Sequence, residues 1–302
     1  MVVVVTGGSG FIGSHVAEAL VNQGYAVRIF DKAKPLSSGV EWFRGDLLSK
    51  DEVHDAVQDA EAVFHLGAVA DVNVATTNPE YCLEVNEMGT LNLLSACSGC
   101  DVERFVLASS VWVYGRASGV VTEETSIPPP NDLYTKTKIG QEHLVYSWSQ
   151  SRSLPYTILR YDIPYGPRMR ANMAIMAFVR RAMRKEPITV FGDGRQGRCW
   201  IYVTDLARAH HLALKHMASN QVINLAGKEF VTISEIVNLL SKMFGAIPVK
   251  HEPPRPGDFV GVRTSIEKAS QLLGWSPTTS FAEGLSEFVT HLKAGQPEKS
   301  TL

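Results

Sequence analysis

The hydrophobic residues of this chain fall into short runs separated by segments with helical spacing. The first run, residues 2–5, is four consecutive valines, and a β-branched run without alternation is typical of a parallel strand buried on both faces. Further runs predict strands at residues 25–30, 40–43, 62–66, 104–108 and 156–161. Because strands and helices alternate strictly, we predict an α/β protein with a doubly wound parallel sheet.

A glycine-rich turn joins the first strand to the first helix. It contains three glycines spaced three apart, Gly7, Gly10 and Gly13. The helix after it begins with Phe11 and Ile12 and stops at Gly24. Such a turn lets the backbone approach a pyrophosphate, which lies on the N-terminal end of the helix. A glycine triplet alone is a weak signal, but the strand before it and the helix after it predict the dinucleotide site of a Rossmann domain.

Asp31 stands at the end of the second predicted strand. An acid in this position accepts hydrogen bonds from an adenosine ribose and repels a 2′-phosphate, which favours NAD over NADP. The neighbouring Lys32 weakens this preference, because a cation tolerates a phosphate.

Asp46 and Leu47 follow the third predicted strand, beside the adenine end of the same crevice. Asp46 can bond the adenine amine while Leu47 covers the face of the base. Alternatively, Asp46 caps the helix that begins near Ser49. The local sequence leaves both interpretations open.

Small or polar residues occur at two positions where the backbone is expected to pass close to a neighbour. Gly67 and Ala68 follow the fourth strand and leave room for a ligand. The predicted long helix over residues 79–98 contains Asn86 and Gly89, which are unusual inside a helix. The glycine implies close packing of this helix against the sheet.

Length, composition and charge narrow the class of protein. The chain has 302 residues, 45% of them hydrophobic, which is enough for one large core or two modest domains. The net charge of −2 gives no basic surface for nucleic acid or for an anionic membrane. No apolar run reaches membrane-spanning length, and the first strand begins at the N-terminus, so we expect a cytoplasmic protein without a signal peptide.

The cysteines predict neither a disulfide framework nor a metal site. They are Cys82, Cys97, Cys100 and Cys199. Cys97 and Cys100 form a C-x-x-C at a predicted helix end, but a zinc site needs a second pair or suitably spaced histidines. We therefore interpret both as ordinary cysteines.

The character of the sequence changes after Pro164. Helices are predicted over residues 171–185 and 204–217, and an apolar strand over 222–225 can return to the main sheet. We expect a Rossmann domain over residues 1–165, with a returning strand near 220–226, and a smaller, partly discontinuous substrate-binding domain over 166–302. The polar residues 294–302 are predicted to be disordered.

Several short motifs stand along the chain in a fixed order. Residues 6–13 match T-G-x-x-G-F-I-G, Tyr134 and Lys138 match Y-x-x-x-K one helical turn apart, and Ser110 stands four residues before Tyr114. Further matches are an N-x-x-G-T motif, a substrate-domain loop and two closing motifs, at residues 86–90, 191–198, 255–258 and 273–275. Through them the chain resembles the extended short-chain dehydrogenases/reductases, in the nucleotide-sugar epimerase and dehydratase branch that includes UDP-glucose 4-epimerases.

This resemblance implies NAD as the cofactor, a UDP-sugar as substrate and a homodimer formed by the helices over residues 79–98 and 134–150. The implied catalytic residues are Ser110, Tyr134 and Lys138. The implied substrate-binding residues are Ser110, Val111, Tyr134, Asn172, Arg198 and Arg255. The implied cofactor-binding residues are Gly7, Gly10, Phe11, Ile12, Gly13, Asp31, Lys32, Asp46, Leu47, Leu66, Gly67, Ala68, Asn86, Ala108, Ser109, Tyr134, Lys138, Tyr161 and Pro164.

The three implied catalytic residues, Ser110, Tyr134 and Lys138, form a triad whose expected chemistry explains their types. A free phenol has a pKa of about 10, and an ammonium one turn away, with a cationic nicotinamide, favours the phenolate. Tyr134 would then remove a hydroxyl proton while Ser110 holds the same hydroxyl. The resemblance implies epimerisation at C4 through a transient keto sugar. The alternative function is a ketosugar reductase that uses the same triad. A third possible function is a non-catalytic NAD-binding regulator, which the intact Tyr134 and Lys138 disfavour.

The chain also departs from the branch at four places. Ile163 stands where an asparagine commonly touches the nucleotide diphosphate, Cys199–Trp200 replaces Asp-Phe, and Gly67 replaces an alanine. Dehydratases and decarboxylases carry an acid two or three residues before the tyrosine of V-Y-G, where this chain has Trp112 and Val111. We therefore predict neither dehydration nor decarboxylation, and the identity of the sugar stays open.

Overall fold

The computed structural model describes residues 1–254 and 260–295. A seven-stranded parallel sheet runs through the molecule in the order β3-β2-β1-β4-β5-β6-β7. Its strands are Val2–Thr6 (β1), Ala26–Asp31 (β2), Val40–Arg44 (β3), Ala62–His65 (β4), Arg104–Ser110 (β5), Tyr156–Tyr161 (β6) and Gln221–Leu225 (β7). The order reverses between β1 and β4, which places a ligand crevice at their carboxyl ends. The predicted doubly wound sheet is confirmed.

Eleven α-helices occur in the described part of the chain. They are Phe11–Asn22 (α1), Lys50–Val57 (α2), Val72–Thr77 (α3), Pro79–Leu83 (α4), Gly89–Cys97 (α5), Leu133–Arg152 (α6), Ala174–Met183 (α7), Val203–Leu212 (α8), Ile233–Phe244 (α9), Glu267–Leu273 (α10) and Phe281–Lys293 (α11).

The valine run is apolar throughout because both faces of β1 are covered. Val3 and Val5 pack with Leu20 of α1 in one hydrophobic cluster, and Val4 packs with Leu93 of α5 in another. All three valines have no exposed surface. A central strand of this kind needs no polar alternation, so its sequence identified it unambiguously.

The predicted helix over residues 79–98 is interrupted in the structure. A π-helical turn, Glu84–Met88, separates α4 from α5, and the short α3 before it was not predicted. The close packing expected at Gly89 occurs, but against a loop and not against the sheet. A Cβ at Gly89 would lie 2.9 Å from the Cβ of Leu47, which follows β3.

The predicted helix over residues 204–217 ends early, at Leu212, and a 3-10 turn follows at His216–Ala218. The break has a specific cause in the sheet. The guanidinium of Arg104 donates to the carbonyl of Ala213, 3.0 Å away, and Thr157 donates to the same oxygen. These bonds satisfy the carbonyls at the end of α8 without a further helical turn.

The residues after β6 build a third hydrophobic cluster. Helices α7, α9 and α11 enclose it together with two short parallel strands, Ile188–Phe191 and Val249–Glu252. β7 follows part of this region in the chain but pairs in parallel with β6. The predicted returning strand therefore extends the main sheet. No helix of the described residues is long and apolar enough to cross a membrane. Of the sequence predictions, Arg255, Asp258 and the tail at 296–302 lie outside the described residues.

Candidate active site and cofactor cleft

A cleft of about 500 Å³ opens at the carboxyl edge of the sheet, where the strand order reverses. Most of the predicted cofactor residues line it: Gly7, Gly10, Phe11, Ile12, Gly13, Asp31, Lys32, Asp46, Leu47, Leu66, Gly67, Ala68, Ala108, Ser109, Tyr134, Lys138 and Tyr161. They come from the carboxyl ends of six neighbouring strands, β1 to β6, and from the helices that follow. The cleft is therefore assembled by the sheet topology.

The floor of the cleft is a turn that only glycine can form. Gly7 has φ +68°, and a Cβ on it would lie 2.7 Å from the backbone nitrogen of Gly67. A Cβ on Gly13 would collide with the carbonyl oxygen of Gly7. α1 begins at Phe11 without a side-chain cap, so its first backbone N–H groups are available to an anion. This cradle fits a dinucleotide pyrophosphate.

Asp31 is fixed at the rim of this turn. One of its carboxylate oxygens accepts a hydrogen bond from the Ser9 backbone N–H (3.0 Å), and the other accepts from the Ala33 N–H (2.9 Å). Lys32 is drawn away toward Asp46, with 2.7 Å between its Nζ and Oδ2 of that carboxylate. Lys32 is thus already paired with a carboxylate. It is therefore less able to accommodate the 2′-phosphate of NADP than the sequence suggested.

The helix-capping interpretation of Asp46 is wrong. Ser49 is the N-cap residue of α2, while Asp46 accepts a hydrogen bond from the Leu48 backbone N–H and pairs with Lys32. The aromatic ring of Tyr81, which the sequence did not predict here, also lines this end of the cleft, 5.8 Å from Lys32 Nζ.

Tyr134 and Lys138 line the cleft on the β5 side of the sheet, and Ser110 lies beside Tyr134 without lining the cleft itself. Ser110 is the last residue of β5, and Tyr134 lies in the first turn of α6, which Asp132 caps by accepting from the Thr135 N–H (2.8 Å). The Ser110 hydroxyl is close enough to the Tyr134 hydroxyl to act on its pKa. Lys138, one turn further along, donates to the Ala108 carbonyl (2.9 Å), with its Nζ 6.0 Å from the Tyr134 ring centre.

The electrostatics of this triad differ from the sequence expectation. Burial raises the pKa of Tyr134 to about 12, while the neighbouring Ser110 hydroxyl and the charge of Arg170 act to lower it. Burial also lowers the pKa of Lys138 to about 8, opposed by Glu142. Lys138 is therefore not the main group that stabilises the phenolate in the protein alone, because its amine faces Ala108. Arg170, a cleft residue missed from the sequence, contributes instead.

A buried ion pair lies directly behind the triad. Arg160 donates to both carboxylate oxygens of Glu142 (2.9 and 2.7 Å), and the two side chains are only 3% and 1% exposed. Ser109 Oγ donates to the same carboxylate (2.5 Å). Ser109, predicted as a cofactor contact, thus uses its hydroxyl to connect β5 with α6.

Asn86 does not line the cleft, contrary to prediction. It lies in the π-helical turn, where its Oδ1 accepts from the Val69 N–H (2.7 Å) and its Nδ2 donates to Thr137 Oγ1 (2.9 Å) on α6. Val69 itself is a cleft residue. Asn86 therefore holds the wall of the cleft and α6 together from behind.

Comparisons with known proteins identify the family of the chain. Residues 3–226 match the model of the NAD dependent epimerase/dehydratase family. The chain belongs to that family. A UDP-glucuronate 4-epimerase of Thermodesulfobacterium geofontis is 32% identical over 309 residues, covering 96% of this chain and 95% of the relative.

Solved structures of similar proteins superpose over nearly the whole chain. A UDP-glucose 4-epimerase of Thermotoga maritima with UDP-glucose has a TM-score of 0.92 at 30% identity, covering 98% of this chain and all of the other. A UDP-glucuronic acid 4-epimerase of Bacillus cereus, in complex with UDP-glucuronic acid and NAD, has a TM-score of 0.90 at 34% identity, covering 97% and 99%. The predicted family and the predicted NAD cofactor are confirmed.

Three of the predicted substrate residues, Val111, Asn172 and Arg198, do not line the dinucleotide cleft. Val111 is buried in a small hydrophobic cluster with Tyr114, so its side chain serves packing there. Asn172 donates to Asp71 Oδ2 (2.5 Å). Arg198 donates to the Gly197 carbonyl (2.6 Å).

Two positions near the end of β6 pack differently from the sequence expectation. Pro164 pairs with Ile201 in a short two-stranded ladder and does not line the cleft. Ile163 packs against the third hydrophobic cluster, so the apolar residue is explained by packing.

Proposed function

We propose that this protein is an NAD-dependent epimerase that inverts C4 of a UDP-sugar, either a UDP-hexose or a UDP-hexuronate. The observation that carries the proposal is that Tyr134 and Lys138 line the cofactor cleft together, with the Ser110 hydroxyl beside that of Tyr134. The names of the similar proteins supply the UDP-sugar and the C4 position. An intact triad in the family cleft disfavours a non-catalytic role.

The chemistry that bound NAD would supply in this cleft is reversible hydride transfer with the sugar carbon. Tyr134 Oη takes the proton of the C4 hydroxyl, and Ser110 Oγ holds that hydroxyl beside it. Lys138 lies one helical turn from Tyr134, with its amine on the Ala108 carbonyl. Tyr134 returns the proton when the hydride comes back to the other face of the sugar. We also propose that residues 1–165 with β7 hold NAD and that residues 166–302 supply most of the sugar-nucleotide contacts.

The direct test is incubation of the purified protein with a panel of UDP-sugars and no added NAD. We expect interconversion of one C4-epimer pair, because the cofactor is regenerated in each turnover. A requirement for stoichiometric NADH or NADPH would support the reductase alternative instead. Neither a 4-keto-6-deoxy sugar nor carbon dioxide should form, because Val111 and Trp112 carry no acid that can complete an elimination.

The carboxylate of Asp31 should make the protein prefer NAD. We expect fluorescence titration to give clearly weaker binding of NADP, because a 2′-phosphate would approach a carboxylate held in place by two backbone N–H groups. Asp31→Ala should reduce the difference between the two cofactors. Equal affinity of the wild-type protein for both would contradict the role given to Asp31.

Arg198 should anchor the substrate diphosphate, since a guanidinium matches phosphate geometry. Arg198→Ala is expected to raise KM for the UDP-sugar by a factor equivalent to about 2–5 kcal/mol, with NAD affinity unchanged. Arg195 on the same loop is 82% exposed and pairs with Asp193, so Arg195→Ala is the matched control. Normal KM in the Arg198 variant would argue against this anchoring. The same role is proposed for Arg255.

A homodimer is also proposed, through the face formed by α5, the π-helical turn and α6. This face carries a shallow hollow lined by Met88, Leu91 and Leu144, and Met88 is 49% exposed. Light scattering should give a dimer for the wild-type protein and a monomer for Met88→Glu with Leu144→Glu. Met217, which is 59% exposed elsewhere, provides the control Met217→Glu. A wild-type monomer at micromolar concentration would contradict the proposal.

A further inference from the structure

Trp112 is the outward-facing residue of the turn that follows Ser110. The 3-10 turn Val111–Tyr114 buries Val111, Val113 and Tyr114, while Trp112 stays 38% exposed. Its backbone N–H donates to Ser110 Oγ (3.2 Å). The position of the indole is therefore tied to the serine that holds the reacting hydroxyl.

The indole stands beside the other catalytic side chain as well. The rings of Trp112 and Tyr134 meet edge to face, with centroids 6.3 Å apart and an angle of 82° between their planes. A sugar whose hydroxyl reaches both Ser110 and Tyr134 must then lie next to the indole. Trp112 is absent from the lining of the dinucleotide cleft, so a bound dinucleotide would leave its ring uncovered.

The hydrogen bonding of Trp112 differs from that of the other four tryptophans. The indole N–H groups of Trp42, Trp148, Trp200 and Trp275 each donate to a protein oxygen. The Trp112 indole N–H has no such acceptor among residues 1–254 and 260–295. Indole donors usually find a partner where they are desolvated, so a ligand that covers Trp112 needs to supply one.

We propose that Trp112 forms one wall of the sugar subsite and recognises the pyranose ring. The face of an indole is electron-rich and attracts the polarised C–H groups of a pyranose. Its N–H can donate to a sugar hydroxyl, and the apolar surface excludes water next to the proton transfer. This assignment rests on the proposed function, because it needs a sugar at Ser110 and Tyr134.

If Trp112 binds the sugar but takes no part in the reaction, its substitution should change KM much more than kcat. Trp112→Ala should raise KM for the UDP-sugar roughly tenfold or more, as expected when a buried aromatic anchor is truncated. Its kcat should fall much less, because Tyr134 and Ser110 remain. Trp112→Phe keeps an aromatic face but loses the N–H, so its KM should lie between those of Trp112→Ala and the wild type. Retention of NAD by each variant checks that it is folded.

Tryptophan fluorescence of the NAD-loaded protein gives an independent readout. UDP-glucose and UDP-glucuronate are titrated against UDP alone, and we expect an additional change with at least one UDP-sugar. Trp112→Phe should lose this sugar-dependent change. Trp42, which is equally exposed on β3, gives the matched control Trp42→Phe, which should keep it.

The outcomes distinguish this inference from the proposed epimerisation. Unchanged KM in Trp112→Ala, or a sugar-dependent signal that survives in Trp112→Phe, overturns the role of Trp112 even if the wild type epimerises. A Trp112-dependent signal without epimer formation supports the sugar wall and overturns the proposed reaction. If the wild-type protein shows no sugar-dependent change in fluorescence, the proposed role of Trp112 in sugar binding is wrong.

Discussion

Tyr134→Phe is expected to lower the rate of epimerisation by about 10²–10⁴-fold, the usual contribution of a general acid–base group. The substitution removes one oxygen and keeps the ring that packs against Trp112. NAD binding should change little, because the glycine turn and Asp31 lie at the other end of the cleft. The measurement is single-turnover epimerisation, together with the amount of NAD retained through purification.

The pH profile supplies a second criterion for the same residue. Tyr134 acts as a base only when deprotonated, and burial raises its pKa to about 12 in the protein alone. The wild-type rate should therefore have a limb that rises with pH, and Tyr134→Phe should lack it. Tyr146→Phe on the same helix is the matched control, because the Tyr146 ring packs edge-on against Tyr156 and is not among the residues that line the cleft. Full activity of Tyr134→Phe would exclude the proposed base.

The glycine turn and the parallel strands were predictable because each is a local pattern with a single physical meaning. Gly7 and Gly13 have no room for a Cβ, and β1 has no polar face. Sequence spacing alone placed Tyr134 and Lys138 on one helix face. What it did not give was the direction of the Lys138 amine, since that depends on the Ala108 carbonyl of another strand.

The supporting residues were harder to predict because their partners are distant in the chain. Asn86 matched a cofactor motif, yet it contacts Val69 and Thr137 behind the cleft. The unusual asparagine and the glycine three residues later were the available signal, and they mark the π-helical turn. Tyr81 and Arg170 gave no signal, because nothing local places an exposed side chain over a cleft formed by other elements.

The buried pair of Glu142 and Arg160 was also invisible to sequence patterns, and it leads to the largest expected effect on stability. Glu142→Ala should lower the free energy of unfolding by about 3–5 kcal/mol, because it leaves the Arg160 guanidinium buried without its counter-charge. It also removes the acceptor of the Ser109 hydroxyl. Urea unfolding with the same NAD concentration in every sample is the measurement.

The surface pair of Lys136 and Glu87 provides the matched control, since Lys136 lies on the same helix as Glu142. Its side chains are 47% and 26% exposed, and an exposed pair contributes about 0–1 kcal/mol. Lys136→Ala should therefore leave the unfolding midpoint almost unchanged. A loss in Glu142→Ala as small as that in Lys136→Ala would contradict the account of the buried pair.

A double variant separates the stability of the pair from its effect on the site. Glu142→Leu with Arg160→Leu removes both charges, so it should recover much of the stability lost in Glu142→Ala. The Tyr114 hydroxyl keeps Asn224 as its acceptor when the Arg160 donor is gone. The double variant does not, however, restore the hydrogen bonds by which Ser109 of β5 and Arg160 of β6 hold Glu142 of α6. We expect these bonds to fix the position of Tyr134 on α6 relative to Ser110. We therefore expect the double variant to be stable but to retain a reduced kcat, whereas full recovery of kcat would mean that the ion pair does not position α6.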